Sequence, residues 1–191
     1  MTVTDWSPTD SVYQAQLRRA HEDLRAQSLP DETSWPVRAP VLDSWRRSLA
    51  ALPDGTGTAR AVLEGDELAR ARRAHPFSAM LPLLRSRLIE PAVDAGLVVA
   101  LGDAEGRLLW VEGRSSVTSR ADAMGFAAGA DWSEPAMGTS APALALTTGS
   151  PTQVVGAEHF NEAVHPWSCS AVPVLDPKLG WIIPITPATA K

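Results

Sequence analysis

Hydrophobic positions recur with a helical period from the N-terminus to Gly96, where the period changes. From Ser11, the residues Tyr13, Leu17, Ala20 and Leu24 fall on one face of a helix, with Arg18, Arg19, Glu22 and Asp23 elsewhere around it. Residues 28–36 read as a connection. Residues 37–49 (VRAPVLDSWRRSL) predict a second helix with Val41, Leu42, Trp45 and Leu49 at helical spacing, and the Pro/Gly-rich stretch 53–57 breaks it. A third helix is expected over 61–74. A fourth begins at His75-Pro76, carries Met80, Leu81, Leu84, Leu88 and Ile89, and runs towards Val93. Pro82 is expected in its first turn, and Pro91 is expected to bend or end it.

Beyond Gly96, two short apolar runs (Leu97-Val98-Val99-Ala100-Leu101 and Leu108-Leu109-Trp110-Val111) flank the Asp/Gly-rich stretch 102–107. That pattern predicts an antiparallel hairpin. A short helix around 117–124, a Gly/Ala-rich loop to Asp131 and a helix starting near Ser133 or Thr139 follow. Residues 153–155 and 168–175 read as strands, with a short helix or ordered loop over 158–165 between them. A fifth strand is expected over 181–186, confined to an edge or bulge by Pro184. Helices first, then an antiparallel sheet with helices interposed, make an α+β fold. The expected division is a helical N-terminal extension over 1–75 and an α+β unit over 76–191.

Composition adds limits. A chain of 191 residues, 45% hydrophobic and 20% charged, has material for one globular core. The formal net charge of −5 gives no basic face for nucleic acid, and the Arg pairs and the run at 70–73 read as solvated helix faces, so direct nucleic-acid binding is not expected. One Cys excludes an internal disulfide. The N-terminal ten residues lack the apolar core of a signal peptide, and no apolar run is long enough for a bilayer, so a cytoplasmic protein without a membrane partner is expected.

Candidate chemistry is concentrated in residues 132–173, which hold Cys169, His159, His165, Trp132, Trp167 and the turn Gly138-Thr139-Ser140. The spacing His-x5-His-x3-Cys is not a usual zinc pattern, and a single haem ligand carries no signature of its own. Cys169 and His165 lack an accompanying oxyanion-hole motif, which argues against an enzyme. A pocket for a small-molecule ligand fits the residue types better: mostly apolar, with a few polar groups. Its expected lining is Trp110, Trp132, Met137, Thr139, Phe160, His165, Trp167 and Cys169. Aromatics in a domain of this size are mostly core, so about half of these are expected to serve packing alone. The sequence names no cofactor. A redox or metal sensor centred on Cys169 is the alternative, and it requires an exposed thiol of depressed pKa.

Three segments carry a resemblance: LVVALGDAEGRLLWVEG, GFAAGADWSEPAMGTSAPALAL and VVGAEHFNEAVHPWSCSAVPVLDP, with VLDSWRRS upstream. Together they resemble the GAF sensor domain of actinobacterial transcriptional regulators of the acetoin-catabolism-activator type, over roughly residues 37–177. The resemblance implies a central antiparallel sheet with flanking helices, a ligand pocket on one sheet face, and signalling through the helices to a homodimer or a related regulator. An interaction module without an output domain is the second reading, favoured by an exposed apolar face on helices 11–27 or 76–94. Two departures stand out. Gly138-Thr139-Ser140-Ala141 replaces the usual Gly-Thr-Asn-Ala, where Ser still caps or bonds locally. The last strand is altered around Leu179 to Thr186, and the chain stops before the helix-turn-helix, as expected of a truncated or diverged relative.

Overall fold

Asp10 starts the first helix by accepting the Val12 and Tyr13 amides on its carboxylate, at 2.8 and 3.1 Å. The structure, a computed structural model, describes residues 9–26, 37–174 and 189–190. Helix α1 spans Ser11–Arg25 and buries Tyr13, Leu17, Ala20, His21 and Leu24, the expected stripe with one polar member added. Helix α2, Ala39–Ala51, has Pro40 in its first turn and buries Val41, Ser44, Trp45 and Ser48. Two serines therefore occupy the buried stripe, while Leu42 and Leu49 lie half-buried at its edge.

The third helix is shorter than expected. Helix α3 spans Gly65–Ala74, because residues 61–63 pair instead with the 129–131 backbone: Ala61 bridges to Ala130, and the Val62 and Leu63 amides both reach the Gly129 carbonyl. Arg72 departs from the solvated-face expectation, since its Nε donates to the Leu109 carbonyl at 2.6 Å.

Helix α4 (Phe77–Leu84) continues through a π-helical turn (Arg85–Ile89) into α5 (Glu90–Asp94). Pro82 sits beyond the first turn of α4, and it and Ser78, whose carbonyl it leaves without an i+4 amide, are both exposed residues. Pro91 does not end the helix. The Glu90 amide reaches back to the Arg85 carbonyl, and this widened turn precedes the point where the Pro91 ring would meet the preceding backbone.

The hairpin forms as expected from β1 (Val99–Gly102) and β2 (Leu108–Glu112), antiparallel with Leu101 opposite Trp110. A register shift follows Leu101, so Gly102 pairs with Leu108 and Leu109 is the extra residue. Val98, Ala100 and Leu108 then face the main core, while Val99, Leu101, Leu109 and Trp110 face a second, smaller core with Phe77 and Ile89. Both faces of the hairpin are covered, which is why both runs read as continuous hydrophobics.

Helix α6 (Ser115–Asp122) leads to α7 (Glu134–Met137) and α8 (Ala141–Thr148). Gly138, at φ 73°, separates α7 from α8, and Ser140 caps α8 by accepting the Ala143 amide. Strand β3 (Thr152–Val155) pairs antiparallel with β4 (Trp167–Ala171), which pairs with β5 (Thr189–Ala190). Among the described residues the strands thus form a two-stranded and a three-stranded antiparallel sheet, an α+β fold. The expected strand over 181–186 lies outside the described residues. Leu17, Leu24, Val41 and Trp45 from α1 and α2 share one core with Val98, Leu144, Val154, Phe160 and Cys169.

A methyl group added at Gly138 would lie 2.6 Å from the Phe160 ring at a backbone angle L residues rarely adopt. Gly149 has φ 63° but open space around it. Urea unfolding should therefore separate the two alanine variants. Gly149→Ala is expected to cost about 1 kcal/mol, the left-handed backbone penalty. Gly138→Ala should cost about 2 kcal/mol more, through forced repacking of Phe160.

Candidate functional site

Residues 155–160 form a turn in the interior of the domain rather than a strand or a long helix. Ala157, Glu158, His159 and Phe160 are fully buried, so their main-chain polar groups must find protein partners. Those partners come largely from α1 and α2. Gln14 of α1 accepts the Ala157 amide at 2.7 Å and donates to the Val155 carbonyl at 3.3 Å. His21 Nε2 lies 3.1 Å from both the Ala157 and His159 carbonyls, and it must carry the proton to serve either. Trp45 of α2 donates its indole N–H to the Glu158 carbonyl at 2.7 Å. The His21 ring stacks on Trp45 with centroids 3.7 Å apart.

Glu158 anchors the same turn by its side chain. Its carboxylate, with no solvent exposure, accepts from Arg38 Nε (2.7 Å) and Nη2 (2.5 Å), the Tyr13 hydroxyl (3.1 Å) and the Val155 amide (2.9 Å). Burial and the Glu158 charge push the Tyr13 phenol upward, so it remains a donor. A buried carboxylate is tolerable when it is paired and its lone pairs are filled, as here.

A second contact joins α2 to the turn at Gly138. Thr139 Oγ1 lies 2.8 Å from Ser44 Oγ and 3.1 Å from Ser48 Oγ. Ser44 also donates to Glu134, which Arg47 grips from the other side at 2.8 and 3.0 Å. The Phe160 amide donates to the Thr139 carbonyl at 3.0 Å, linking the two turns. The motif at 44–48 is thus a docking motif: Ser44, Trp45, Arg47 and Ser48 each hold a residue of the 134–158 region.

The eight expected ligand-lining residues do not gather around one space. Met137, Thr139 and Phe160 meet at the Gly138 turn. Trp132 stacks edge-on against Phe126 at 4.7 Å and donates to the Gly125 carbonyl. Trp167 and Cys169 point inward from β4, and Trp110 belongs to the second core, 5.9 Å from the His75 ring. His165, half-buried, donates to the His159 carbonyl at 3.0 Å. The other seven are buried, and none of the eight lines any of the three clefts described next. Sequence reasoning missed His21, Arg38 and Ser44 as parts of a site, since polar residues on or just before a helix read as its solvent side. The Ser-Trp-x-Arg-Ser pattern was the available signal.

The redox alternative at Cys169 fails. The sulfur is buried, and burial pushes the thiol up to about 12, the opposite of a reactive thiolate. His159 Nδ1 is engaged with the Gly156 carbonyl at 2.9 Å, and among the described residues no three His, Cys, Asp or Glu side chains converge as a metal set.

Open space lies at the surface. One cleft of about 300 Å³ runs between residues 52–62 and α7. A wider groove of about 750 Å³ lies between α5, β2 and α6, with Glu90, Asp94 and Glu112 on its walls. A third, of about 260 Å³, adjoins it across Val111 and Thr118.

Burial holds His21 down to about 3 and His159 down to about 4. Both rings stay neutral in the native protein while the unfolded chain protonates near pH 6.5. Stability is therefore full above about pH 6.5 and falls as pH drops towards 4, by roughly 1.4 kcal/mol per pH unit for each ring. Urea midpoints measured across that window should show this slope, and His159→Gln should remove one ring's share. Trp45→Phe leaves the Glu158 carbonyl without its donor and should cost about 1–3 kcal/mol in the same assay.

No family model matches the chain. It is 48% identical over 159 residues to an uncharacterised 47.3 kDa protein of the thcA 5′ region of Rhodococcus erythropolis, covering 82% of this chain and 36% of that protein. It is 31% identical over 142 residues to the acetoin dehydrogenase operon transcriptional activator AcoR of Bacillus subtilis, covering 72% of this chain and 23% of that protein. The chain thus spans about a third of the first relative and under a quarter of the second. Among solved structures, the E. coli DhaR(N)–DhaL complex contains a similar fold, with TM-score 0.71, 24% identity, and coverage of 80% of this chain and 53% of that one. The fold and the similarity to the activators agree: over most of its length the chain is homologous to acetoin-type transcriptional activators, and it has the fold found in DhaR(N).

Proposed function

We propose that this domain senses a small molecule without transforming it, and that the signal leaves through α1 and α2. The observation that carries this reading is the buried turn at 155–160, whose main-chain groups are satisfied by Gln14, His21 and Trp45 of those two helices. A ligand that shifts the turn changes how well the helices are held, and helices that shift carry the change onward. Control of this kind needs a ligand with different affinity for two arrangements of the domain. The residues expected at a ligand surface act in this reading from behind it. Met137 and Thr139 belong to the turn that follows Pro135 and Ala136, and those two do line a cleft.

Regulators similar to this chain are activators of transcription, and the fold relative DhaR(N) is in complex with DhaL. A protein partner, either a second copy or a related regulator, fits the same role. The apolar face of α1 is buried, but Met80 and Leu83 on α4 are 49% and 56% exposed and offer a contact surface. No helix among the described residues is long and apolar enough to cross a membrane, which fits a cytoplasmic setting.

A thermal-shift screen over metabolites, nucleotides and haem, followed by amide exchange on any ligand found, tests the reading. Binding should raise the melting temperature and alter exchange in α1 and α2. Uniformly unchanged melting, or binding that leaves exchange in both helices untouched, would overturn it.

A further inference from the structure

Residues 56–62 alternate. Gly57 and Ala59 turn inward where space is short: a Cβ at Gly57 would lie 2.7 Å from the Met137 backbone, and Ala59 Cβ sits 2.6 Å from where a Gly125 Cβ would be, while the Ala61 backbone bridges to Ala130. Thr56, Thr58, Arg60 and Val62 turn outward and together form one wall of the cleft of about 300 Å³. An extended segment with small residues pressed onto the domain and larger ones in a row along a cleft presents its functional groups in fixed order. Pro135 and Ala136 of α7 and Leu52, at the end of α2, line the same cleft.

The charges in this cleft are not spent on each other. Asp131 also lines it, and its amide donates to the Arg60 carbonyl at 3.0 Å, so the two residues are backbone neighbours. Their side chains nevertheless form no salt bridge. Among the described residues the Arg60 guanidinium has no ion-pair partner, while one Asp131 oxygen, Oδ1, accepts the Ser133 amide at 2.9 Å. The cleft therefore offers a guanidinium and two hydroxyls to an anion, a carboxylate oxygen to a hydrogen-bond donor, and Val62, Leu52, Pro135 and Ala136 to a short apolar group.

We propose that the cleft between residues 56–62 and α7 binds a small 2-hydroxycarboxylate, its carboxylate on Arg60 and the Thr56 and Thr58 hydroxyls and its hydroxyl donating to Asp131. Arg is suited to carboxylate through charge-assisted, paired hydrogen bonds. The assignment rests on the sensing role above and gives it an entry point: Leu52 directly follows α2, and Pro135 directly follows Glu134, which Arg47 and Ser44 hold.

Amide chemical shifts of the full chain, titrated with four probes, test this. Lactate should give saturable shifts at 56–62 and 131–136. Propane-1,2-diol, without the carboxylate, should give none, and propionate, without the hydroxyl, should bind more weakly than lactate. Inorganic phosphate should not match lactate. Arg60→Gln, at an exposed position, should weaken lactate about tenfold or more, and Asp131→Asn should reduce the preference of lactate over propionate. No lactate shifts, equal phosphate binding, or an unaffected Arg60→Gln variant would overturn the assignment. If lactate gives no shifts here and another ligand alters exchange in α1 and α2 regardless of Arg60→Gln, the sensing role stands and this site falls. If lactate binds here and leaves α1 and α2 unchanged, the site stands and the sensing role falls.

Discussion

A buried turn must have its carbonyls and amides satisfied without water, and that constraint organises this domain. Residues 155–160 lack the internal hydrogen bonding of a helix or a full strand pair, yet they lie in the interior. Local bonds, such as the His159 amide to the Gly156 carbonyl, meet only part of the need, and the rest is met by side chains from distant parts of the sequence: an amide from Gln14, an imidazole from His21, an indole from Trp45, a guanidinium from Arg38 by way of Glu158. Leaving one such group unpaired costs more than an ordinary hydrogen bond contributes. The two N-terminal helices are thereby tied to the sensor core by polar groups as much as by Leu17 and Val41.

Polar contacts of this kind are directional, which distinguishes them from the apolar packing around them. Trp45 both fills the core and aims its N–H at one carbonyl, so α2 has one position in which both are met. Ser44 and Ser48 share Thr139 in the same way. A domain whose helices are held by such contacts has a defined resting arrangement, and a shift in the turn is felt by both helices at once. This is the physical basis of the signalling role proposed for α1 and α2.

Much of the local structure was legible along the chain. The change of period at Gly96 and the Asp/Gly stretch at 102–107 mark the hairpin, because strand alternation and turn chemistry are local properties. The stripe Tyr13, Leu17, Ala20, Leu24 predicts the buried face of α1 for the same reason. The start of α3 was misread, since residues 61–63 pair with 129–131 across a long separation. Pro91 is expected to bend or end its helix, and the helix continues through it because a preceding π turn, invisible to periodicity, makes room for it.

The candidate site was legible in its ingredients and not in its arrangement. The sequence by itself determined most element types and the resemblance carried by the motifs around 44–48, 132–141 and 154–169. Only the tertiary structure decided that Trp132, Phe160, Trp167 and Cys169 pack as core, that Trp110 faces a separate core across the hairpin, and that His21 and Ser44 point inward. The reason is that hydrophobic periodicity assigns polar side chains to the solvent face. Which of them is instead drawn inside depends on a polar group waiting there, and that group belongs to a distant segment, Ser44 to Thr139 being 95 residues apart and Trp45 to Glu158 113.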